Sequence, residues 1–319
     1  MTDTQDAVRS GVSSAVGHVR EHNEDYFVAA PDLGFWAVAD GMGGHSAGEI
    51  ASRIACESLL SAARSGKTLQ DGIKDADRAI AKAIEAGDGA EGMGTTVVAV
   101  QLNGRRYDIA WIGDSRAYLW QDDQLCQLTH DHSFVQQLLD HDAIAVEEAE
   151  CHPAKHILTR CLGGGTGGPA HSDLISSSFF AGEILILCTD GISGEVSAES
   201  LEQEIRAQVA QSHSPEIISK ALVELALDHG GKDNATAVVI MAPDNAPERV
   251  HQTVPSPSTN SKPNAPQGLG LGKRNLLIAV ILFVFLMIVL LAFLWPDHDS
   301  ENGTVKVSAD RVDGIQSRT

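Results

Sequence analysis

The sequence is short of basic residues, which limits the partners it can have. Its 319 residues contain 23 Lys and Arg against 43 Asp and Glu, for a formal net charge of -20. Proteins that bind nucleic acids cluster Lys and Arg against the phosphate backbone, so this composition argues against a nucleic-acid partner. An acidic chain can still act on phosphate groups if bound metal ions supply positive charge locally.

Cysteine is also scarce, and its pattern is typical of neither a zinc site nor a disulfide framework. The five cysteines are Cys56, Cys126, Cys151, Cys161 and Cys188, an odd number with no Cys-x-x-Cys pair. We therefore expect free thiols in a reducing compartment. The N-terminus has neither a basic start nor an apolar run, so we expect no signal peptide.

Alternating strand and helix patterns predict one globular domain over residues 1–242. Short apolar runs bounded by turn residues predict strands, and apolar residues at helical spacing predict helices. The expected strands lie within 12–39, 95–128, 184–188 and 235–241, and the expected helices at 46–64, 69–85, 198–211 and 215–229. Short turns such as Asn103-Gly104 favour antiparallel pairing. A stretch rich in His and Gly, 129–172, is expected to be an excursion from the core sheets.

The C-terminal quarter has the pattern of a linker and a membrane anchor. Residues 243–275 begin with a Pro-rich stretch without apolar periodicity, which predicts an extended linker. Residues 276–295 are twenty uncharged and mostly apolar residues, enough to span a bilayer as a helix. A buried core helix is the alternative. Lys273 and Arg274 precede the span, so we expect a single-pass protein of the cell inner (cytoplasmic) membrane, with its large domain in the cytoplasm and the tail 296–319 outside.

Aspartates recur where apolar strands meet loops. The predicted strands end at Asp40, Asp114 and Asp190, and Asp233 directly precedes the last strand. The pair Glu24-Asp25 follows an early strand. Asp-Gly is also a common turn dipeptide, so Asp40-Gly41 by itself indicates a turn more strongly than a metal ligand.

Several carboxylates gathered at one sheet edge would repel one another unless a cation compensated their charge. Oxygen ligands favour magnesium, manganese or calcium over zinc. Two such ions sharing a water would lower its pKa and create a hydrolytic site for phosphate esters. The competing interpretation is that each aspartate only caps a loop.

Six motifs in order resemble those of the metal-dependent serine/threonine protein phosphatases of type 2C (the PPM family), in its bacterial version. They cover about residues 10–242 and read Arg20-x-x-Asn23-Glu24-Asp25, Asp40-Gly41-Met-Gly-Gly44, Gly94-Thr95-Thr96, Gly113-Asp114-Ser115-Arg116, Thr189-Asp190-Gly191 and Asp233-Asn234. The resemblance implies an α+β fold, a four-layer αββα sandwich of two antiparallel sheets flanked by helices, here followed by one C-terminal transmembrane helix. Segment 129–172 corresponds to the family's variable flap.

The resemblance also implies roles for single residues. It assigns metal binding to Glu24, Asp25, Asp40, Gly41, Asp114, Asp190 and Asp233. Asp40 would bridge two Mn²⁺ or Mg²⁺ ions and the Gly41 carbonyl would bind one of them, while Glu24 and Asp25 would hold metal waters. Asp114 would serve a weaker third ion. Arg20 would grip the substrate phosphate through its planar set of donors.

The implied reaction is hydrolysis of phosphoserine or phosphothreonine by attack of a metal-bridging hydroxide, with Arg20 and Asp40 as catalytic residues. The proton donor to the leaving oxygen stays open, because Met42 stands where eukaryotic members place histidine and the reach of His45 is unknown. Histidines of the stretch 152–160 are expected to be solvated, with contact to substrate as the alternative. We expect Gly94-Thr-Thr, Ser115 and Arg116 to be structural and Asn234 to fix the loop that presents Asp233.

Three functions are compatible with this resemblance. The first is an active phosphatase, tethered to the membrane and opposing a bacterial Ser/Thr kinase and its targets. The second is a catalytically weak phosphoprotein-binding regulator of the same fold, against which the intact Asp40, Asp190 and Asp233 argue. The third is a phosphatase-like regulator of a transcription-factor antagonist, which usually carries sensory domains absent here.

Overall fold

Strands and helices follow the apolar periodicity of the sequence closely. The computed structural model describes residues 8–43, 47–164, 170–243 and 246–249. The strands are β1 (Arg9–Ala15), β2 (Asp25–Ala30), β3 (Phe35–Met42), β4 (Gly94–Thr95), β5 (Val97–Asn103), β6 (Arg106–Ile112), β7 (Arg116–Gln121), β8 (Gln124–Gln127), β9 (Asp173–Ser178), β10 (Ile184–Cys188) and β11 (Ala235–Met241). The helices are α1 (Ala47–Arg64), α2 (Leu69–Ala86), α3 (Phe134–Asp140), α4 (Val146–Glu150), α5 (Asp190–Ser193), α6 (Ala198–Ala210) and α7 (Pro215–Asp228), with a 3-10 turn at Pro31–Leu33.

The strands form two antiparallel sheets. One has the order β1-β11-β10-β7-β8, and the other has the order β2-β3-β5-β6-β9 with β4 paired to β3. The short connection at Asn103-Gly104 joins β5 to β6 as a hairpin, in which Asn103 pairs with Arg106. The predicted fold of two antiparallel sheets flanked by helices is confirmed.

Burial on both faces of the central strands produces the four layers. In β3, Phe35, Ala37 and Ala39 pack in the core between their sheet and helices α1 and α2, while Trp36 and Val38 pack in the core between the two sheets. The third core lies between the other sheet and helices α6 and α7. A strand covered on both sides has apolar residues at every position, which explains the uninterrupted run in the sequence.

One edge of the sandwich collects the strand ends that carry acidic residues. β10 ends at Cys188 just before Asp190, and β11 begins at Ala235 just after Asp233. The prediction that the strand stops at Asp40 was wrong, because β3 continues to Met42 by pairing with the two residues of β4. Asp40 therefore lies inside a paired strand, and its carbonyl accepts from the Thr96 N–H at 2.9 Å, so it is not part of a loose turn.

Segment 129–172 leaves the sheets, as predicted. Its described part contains α3, α4 and two isolated bridges, one joining Ser133 to Leu158 and the other joining Leu162 to Thr95. Residues 165–169 lie outside the described residues. We refer to residues 134–160 as the flap.

The predicted transmembrane span, residues 276–295, lies outside the described residues, as do most of the predicted linker and all of the tail. Within the part of the chain that the structure describes, no helix is long and apolar enough to cross a membrane. The start of the predicted linker contacts the domain: Arg249 donates from Nε and Nη2 to Glu183 at 3.0 and 2.7 Å and lies 4.8 Å from the Phe180 ring centroid.

Candidate metal centre

The predicted site residues gather around one cavity between the two sheets. The cavity has a volume of about 620 Å³, and seven of the eight predicted residues line it. They are Arg20, Glu24, Asp40, Gly41, Asp114, Asp190 and Asp233, which lie beside Met42, His156 and Lys232. Residues that are more than 200 positions apart in the sequence thus share one acidic pocket.

The eighth residue, Asp25, lies next to the cavity because of strand register. Asp25 stands directly opposite Asp40 in the β2–β3 pair, an arrangement that places two side chains on the same face. Asp25 is 7% exposed, and its Oδ2 accepts hydrogen bonds from the hydroxyls of Thr189 at 2.9 Å and Thr236 at 2.7 Å. Its Oδ1 is buried without a hydrogen-bond partner, so one oxygen of this carboxylate is free to bind a cation or water.

Asp190 has the same kind of unsatisfied oxygen. It is the first residue of α5, and its Oδ1 is buried without a hydrogen-bond partner, while its Oδ2 lies 3.5 Å from His156 Nδ1. The next residue has to be glycine, since a Cβ on Gly191 would lie 1.8 Å from the carbonyl oxygen of Asn234. This close approach joins the start of α5 to the segment that carries Asp233.

Arg20 and Asp233 contact each other directly. Arg20 Nη2 donates to Asp233 Oδ2 at 2.6 Å, and the two side chains are 50% and 30% exposed. The predicted phosphate-binding residue is therefore already oriented toward the cavity by a predicted metal ligand. The same hydrogen bond raises the pKa of Arg20, so the guanidinium stays charged.

Asn234 connects the segment that carries Arg20 to the segment that carries Asp233 through several hydrogen bonds. Its Oδ1 accepts from the Glu24 N–H at 2.8 Å, and its Nδ2 donates to the carbonyls of Val16 and His22 at 2.8 and 2.9 Å. The backbone N–H of Asn234 donates to Asp233 Oδ1 at 2.8 Å. The prediction that Asn234 organises this loop agrees with these contacts, which also extend to the segment bearing Glu24.

The Gly94-Thr95-Thr96 motif holds the backbone of Asp40. The Thr95 hydroxyl donates to the Asp40 carbonyl at 2.7 Å, and the Asp40 N–H donates to Thr96 Oγ1 at 3.1 Å. Thr96 Oγ1 also lies 2.6 Å from Ser115 Oγ, next to Asp114. Hydrogen bonds of these hydroxyls therefore connect the backbone of Asp40 to the side chain of Ser115, the residue after Asp114.

Burial and the charges of neighbouring carboxylates make the ionised forms of Asp25, Asp40 and Asp114 unfavourable. Burial, followed by the charges of Asp190, Asp25 and Asp114, raises the pKa of Asp40 well above its usual range. Burial raises the pKa of Asp25 to about 7, although the two threonine hydroxyls oppose the shift, and raises the pKa of Asp114 to about 8 with help from Asp190. Buried like charges of this kind are stabilised by a compensating cation.

Comparison with known proteins identifies the family. The model of the family described as protein phosphatase 2C matches residues 17–226. The chain is 39% identical over 240 residues to the serine/threonine protein phosphatase PstP of Mycobacterium tuberculosis, covering 73% of this chain and 44% of that protein. It is 35% identical over 237 residues to the serine/threonine phosphatase stp of Listeria innocua, covering 70% of this chain and 92% of that protein. This chain belongs to the protein phosphatase 2C family.

Solved structures of family members have the same fold. The crystal structure of the Mycobacterium tuberculosis phosphatase PstP/Ppp matches with a TM-score of 0.67 and 36% identity, over 76% of this chain and all of that one. A second structure, the catalytic domain of PstP in complex with 2 manganese ions, matches with a TM-score of 0.65 and 35% identity, over 74% of this chain and 98% of that one. The present chain spans less than half of the full-length PstP protein.

The residues present fit divalent cations of the kind bound by that protein phosphatase 2C member. The two orphaned carboxylate oxygens, on Asp25 and Asp190, and the repulsion around Asp40 are both relieved by a hard cation. Within the described ranges, no three His, Cys, Asp or Glu side chains converge as a metal-ligand set. Asp233, a predicted ligand, is directed to Arg20.

Two further groups of residues were not predicted as part of the site. His156 is 62% exposed, in agreement with the expectation of a solvated histidine, but it also contacts Asp190, and this contact raises its pKa. Thr189 and Thr236 bond to Asp25 across the two sheets. Spacing alone does not reveal such contacts, because they join segments that are distant in sequence. His45 and Gly44 lie outside the described residues.

Proposed function

We propose that this chain is a metal-dependent protein serine/threonine phosphatase that uses two divalent ions, Mn²⁺ or Mg²⁺, with a weaker third. The observation that carries the proposal is the gathering of Asp40, Asp114, Asp190 and Asp233 around one cavity beside Arg20. Asp40 would contribute to both ion sites, the Gly41 carbonyl to one of them, and Asp190 and Asp233 to the other. Family membership supports this assignment of residues.

When bound, the ions would supply positive charge and lower the pKa of water at the site. The chain's own residues contribute position and charge. Asp25 Oδ1, buried without a hydrogen-bond partner, and the half-buried Glu24 would present acceptor oxygens to water at the ions. Asp25 is itself held in place by the hydroxyls of Thr189 and Thr236, so that its free oxygen faces one fixed direction.

Arg20 is the group that recognises the phosphate. Its guanidinium lines the cavity, half exposed, and only Nη2 is used by Asp233. The remaining N–H donors are available to phosphate oxygens, and their planar arrangement matches a phosphoryl group. Charge developing on those oxygens is stabilised most by donors that are already in place.

The substrate is a phosphorylated protein rather than a small molecule. The cavity is open to solvent along Arg20, His22, His156 and Lys232, so a phosphorylated side chain can enter while its polypeptide stays outside. The relatives' names as serine/threonine phosphatases support phosphoserine and phosphothreonine as the groups cleaved.

The decisive experiment measures phosphate release from a phosphothreonine peptide by the full chain in detergent micelles. We expect turnover with Mn²⁺, none with EDTA, and losses of several orders of magnitude in Asp40→Asn and Asp190→Asn. Full activity of both variants contradicts the metal assignment. A folded wild-type protein that binds phosphopeptides without turnover supports the phosphoprotein-binding regulator instead.

The proposal includes a membrane tether and a kinase partner. The uncharged stretch 276–295 and the preceding Lys273-Arg274 favour a single-pass protein of the cytoplasmic membrane with its catalytic domain in the cytoplasm. A tether raises the local concentration of membrane-bound targets, of which a transmembrane Ser/Thr kinase is the expected one.

Removing residues 276–319 tests the tether. We expect unchanged peptide turnover but slower dephosphorylation of a phosphorylated kinase domain anchored in the same liposomes. A kinase domain without its anchor is the matched control, on which both forms of the phosphatase should act equally. Equal rates on the anchored kinase contradict a tethering role.

A further inference from the structure

The turn that presents Asp114 is held from behind by a buried histidine, His132. Its backbone N–H donates to the Gly113 carbonyl at 2.9 Å, and its Nδ1 accepts from the Gly113 N–H at 3.0 Å. Two hydrogen bonds in opposite directions fix both ends of the residue just before Asp114. His132 is only 2% exposed, so water does not compete for these bonds.

Gly113 has to be glycine, because of both its backbone conformation and its close contact with Thr96. Its φ of 104° lies in the region that favours glycine, and a Cβ would lie 2.6 Å from Thr96. The turn is therefore pressed against Thr96 on one side and bonded to His132 on the other. No side chain of its own contributes to its position.

The other ring nitrogen of His132 faces a second anchor. Nε2 lies 3.4 Å from Asp173 Oδ2, and Asp173 also accepts from Arg160 at 3.0 Å. The ring stacks on Trp111, with centroids 6.3 Å apart and planes at 19°. Because Nδ1 accepts a hydrogen bond, Nε2 carries the proton and donates toward Asp173, which fixes the orientation of the ring.

The same residue connects the turn to the flap. The Thr159 N–H donates to the His132 carbonyl at 2.8 Å, and the Phe134 N–H donates to the Ile157 carbonyl at 2.8 Å. This short pairing includes the residues directly after His156, which contacts Asp190. The flap is thus bonded to the backbone of His132, while the turn before Asp114 is bonded to both its backbone and its side chain.

We propose that His132 is a positioning residue for Asp114, acting through the hydrogen bond from Gly113 to Nδ1. The inference rests on the proposed function, because it assigns to Asp114 a share in cation binding. Residues that orient a metal ligand from behind typically change metal affinity or activity by 10–100-fold when replaced. His132 does not touch the substrate or the reacting atoms.

Two conservative variants separate the two sides of the ring. The oxygen of Asn is as far along the side chain as Nδ1, so His132→Asn keeps an acceptor for Gly113 and loses the donor to Asp173. The amide of Gln reaches the position of Nε2, so His132→Gln keeps the donor to Asp173 and leaves the Gly113 N–H without an acceptor. Both variants lose the stacking on Trp111, so both should lose thermal stability.

The test is calorimetric titration of Mn²⁺ into metal-stripped full-length protein, together with kcat and KM on a phosphothreonine peptide. We expect His132→Gln to lose about tenfold or more in affinity for its weakest Mn²⁺ site and in kcat, with little change in KM. His132→Asn should stay close to wild type in both. Circular dichroism checks that each variant is folded.

Two outcomes overturn the inference. Mn²⁺ affinity in His132→Gln equal to wild type shows that the histidine is structural only, and equal losses in both variants show that the bond to Gly113 is not what matters. A wild-type protein that binds Mn²⁺ but does not hydrolyse the peptide contradicts the proposed function alone, since the calorimetric comparison still decides the role of His132.

Discussion

Replacing Asp114 by Asn should stabilise the metal-free protein while damaging its function. Asp114 is 9% exposed and lies near other acidic groups, and burial together with the charges of Asp190 and Asp131 raises its pKa to about 8. Asn has the same shape without the ionisable group. The substitution therefore removes one source of repulsion from the cluster at the cost of a carboxylate that a cation would use.

The magnitude follows from the difference in pKa between the folded and unfolded chain. The carboxyl of Asp114 titrates at 3.8 when unfolded and at about 8 when folded. At pH 7 the unfolded carboxyl is ionised and the folded one holds a proton, a difference equivalent to about 4 kcal/mol at most. Neighbouring carboxylates share these protons, so we expect a gain of about 1–3 kcal/mol, which raises Tm by about 2–4 °C per kcal/mol.

The sign of the pH dependence is also determined. A carboxyl whose pKa is raised by folding makes its full contribution to the free energy of unfolding below pH 3.8, and this contribution is lost as the pH rises to about 8. The advantage of Asp114→Asn over wild type should therefore be small at pH 4 and grow steadily toward pH 8. Saturating Mn²⁺ should reverse the order, because only the wild type has the carboxylate.

Urea unfolding in EDTA at several pH values, repeated with Mn²⁺, measures these differences. Asp32→Asn makes the same chemical change at an exposed position of the 3-10 turn and should leave the stability unchanged. The reasoning is refuted if Asp114→Asn is no more stable than wild type in EDTA at pH 7, or if its advantage does not shrink toward pH 4.

Three further predictions concern single contacts. Arg20→Lys keeps the charge but loses the planar set of donors, so KM for a phosphopeptide should rise about tenfold with a smaller change in kcat. Unchanged steady-state kinetics would contradict phosphate binding by Arg20. Burial, aided by Arg160, lowers the pKa of His132. The free energy of unfolding should therefore fall as the pH drops below about 6.5, where the unfolded histidine takes up a proton. The difference between the free energies of unfolding measured in urea at pH 7 and pH 5 should shrink in His132→Asn. Arg249→Ala leaves Glu183, which is 4% exposed, without its ion pair. The free energy of unfolding should fall by about 1–3 kcal/mol while activity stays unchanged. Recovery of stability in the double variant with Glu183→Gln checks the pairing.

Local burial explains why most of the fold could be predicted. Residues 35–39 of β3 and all of β10 are covered on both faces, so these stretches are entirely apolar and stand out in the sequence. Helices α1 and α2 bury one side and follow the helical period. The end of β3 was placed too early, since its extension to Met42 depends on β4, a strand of two residues whose pairing leaves no periodic pattern.

The candidate site was predictable only as a set of residue types in order. Asp40, Asp114 and Asp190 stand out because each follows an apolar run, and Asp233 because it comes just before one. Nothing local indicates that Asp25 lies opposite Asp40, because register depends on how two strands pair. The contact of His156 with Asp190 likewise depends on how the flap folds back over the sandwich.

The sequence by itself determined most strands and helices and the order of the acidic motifs, which carry the resemblance to protein phosphatase 2C, since these depend on burial and residue type along the chain. The tertiary structure alone decided which groups bond to one another. Arg20 meets Asp233 across 213 positions, and Asp25 meets Thr236 across 211. The Asp40-Gly41 pair, ambiguous as a local turn, became part of an acidic cavity because two sheets brought distant carboxylates to it.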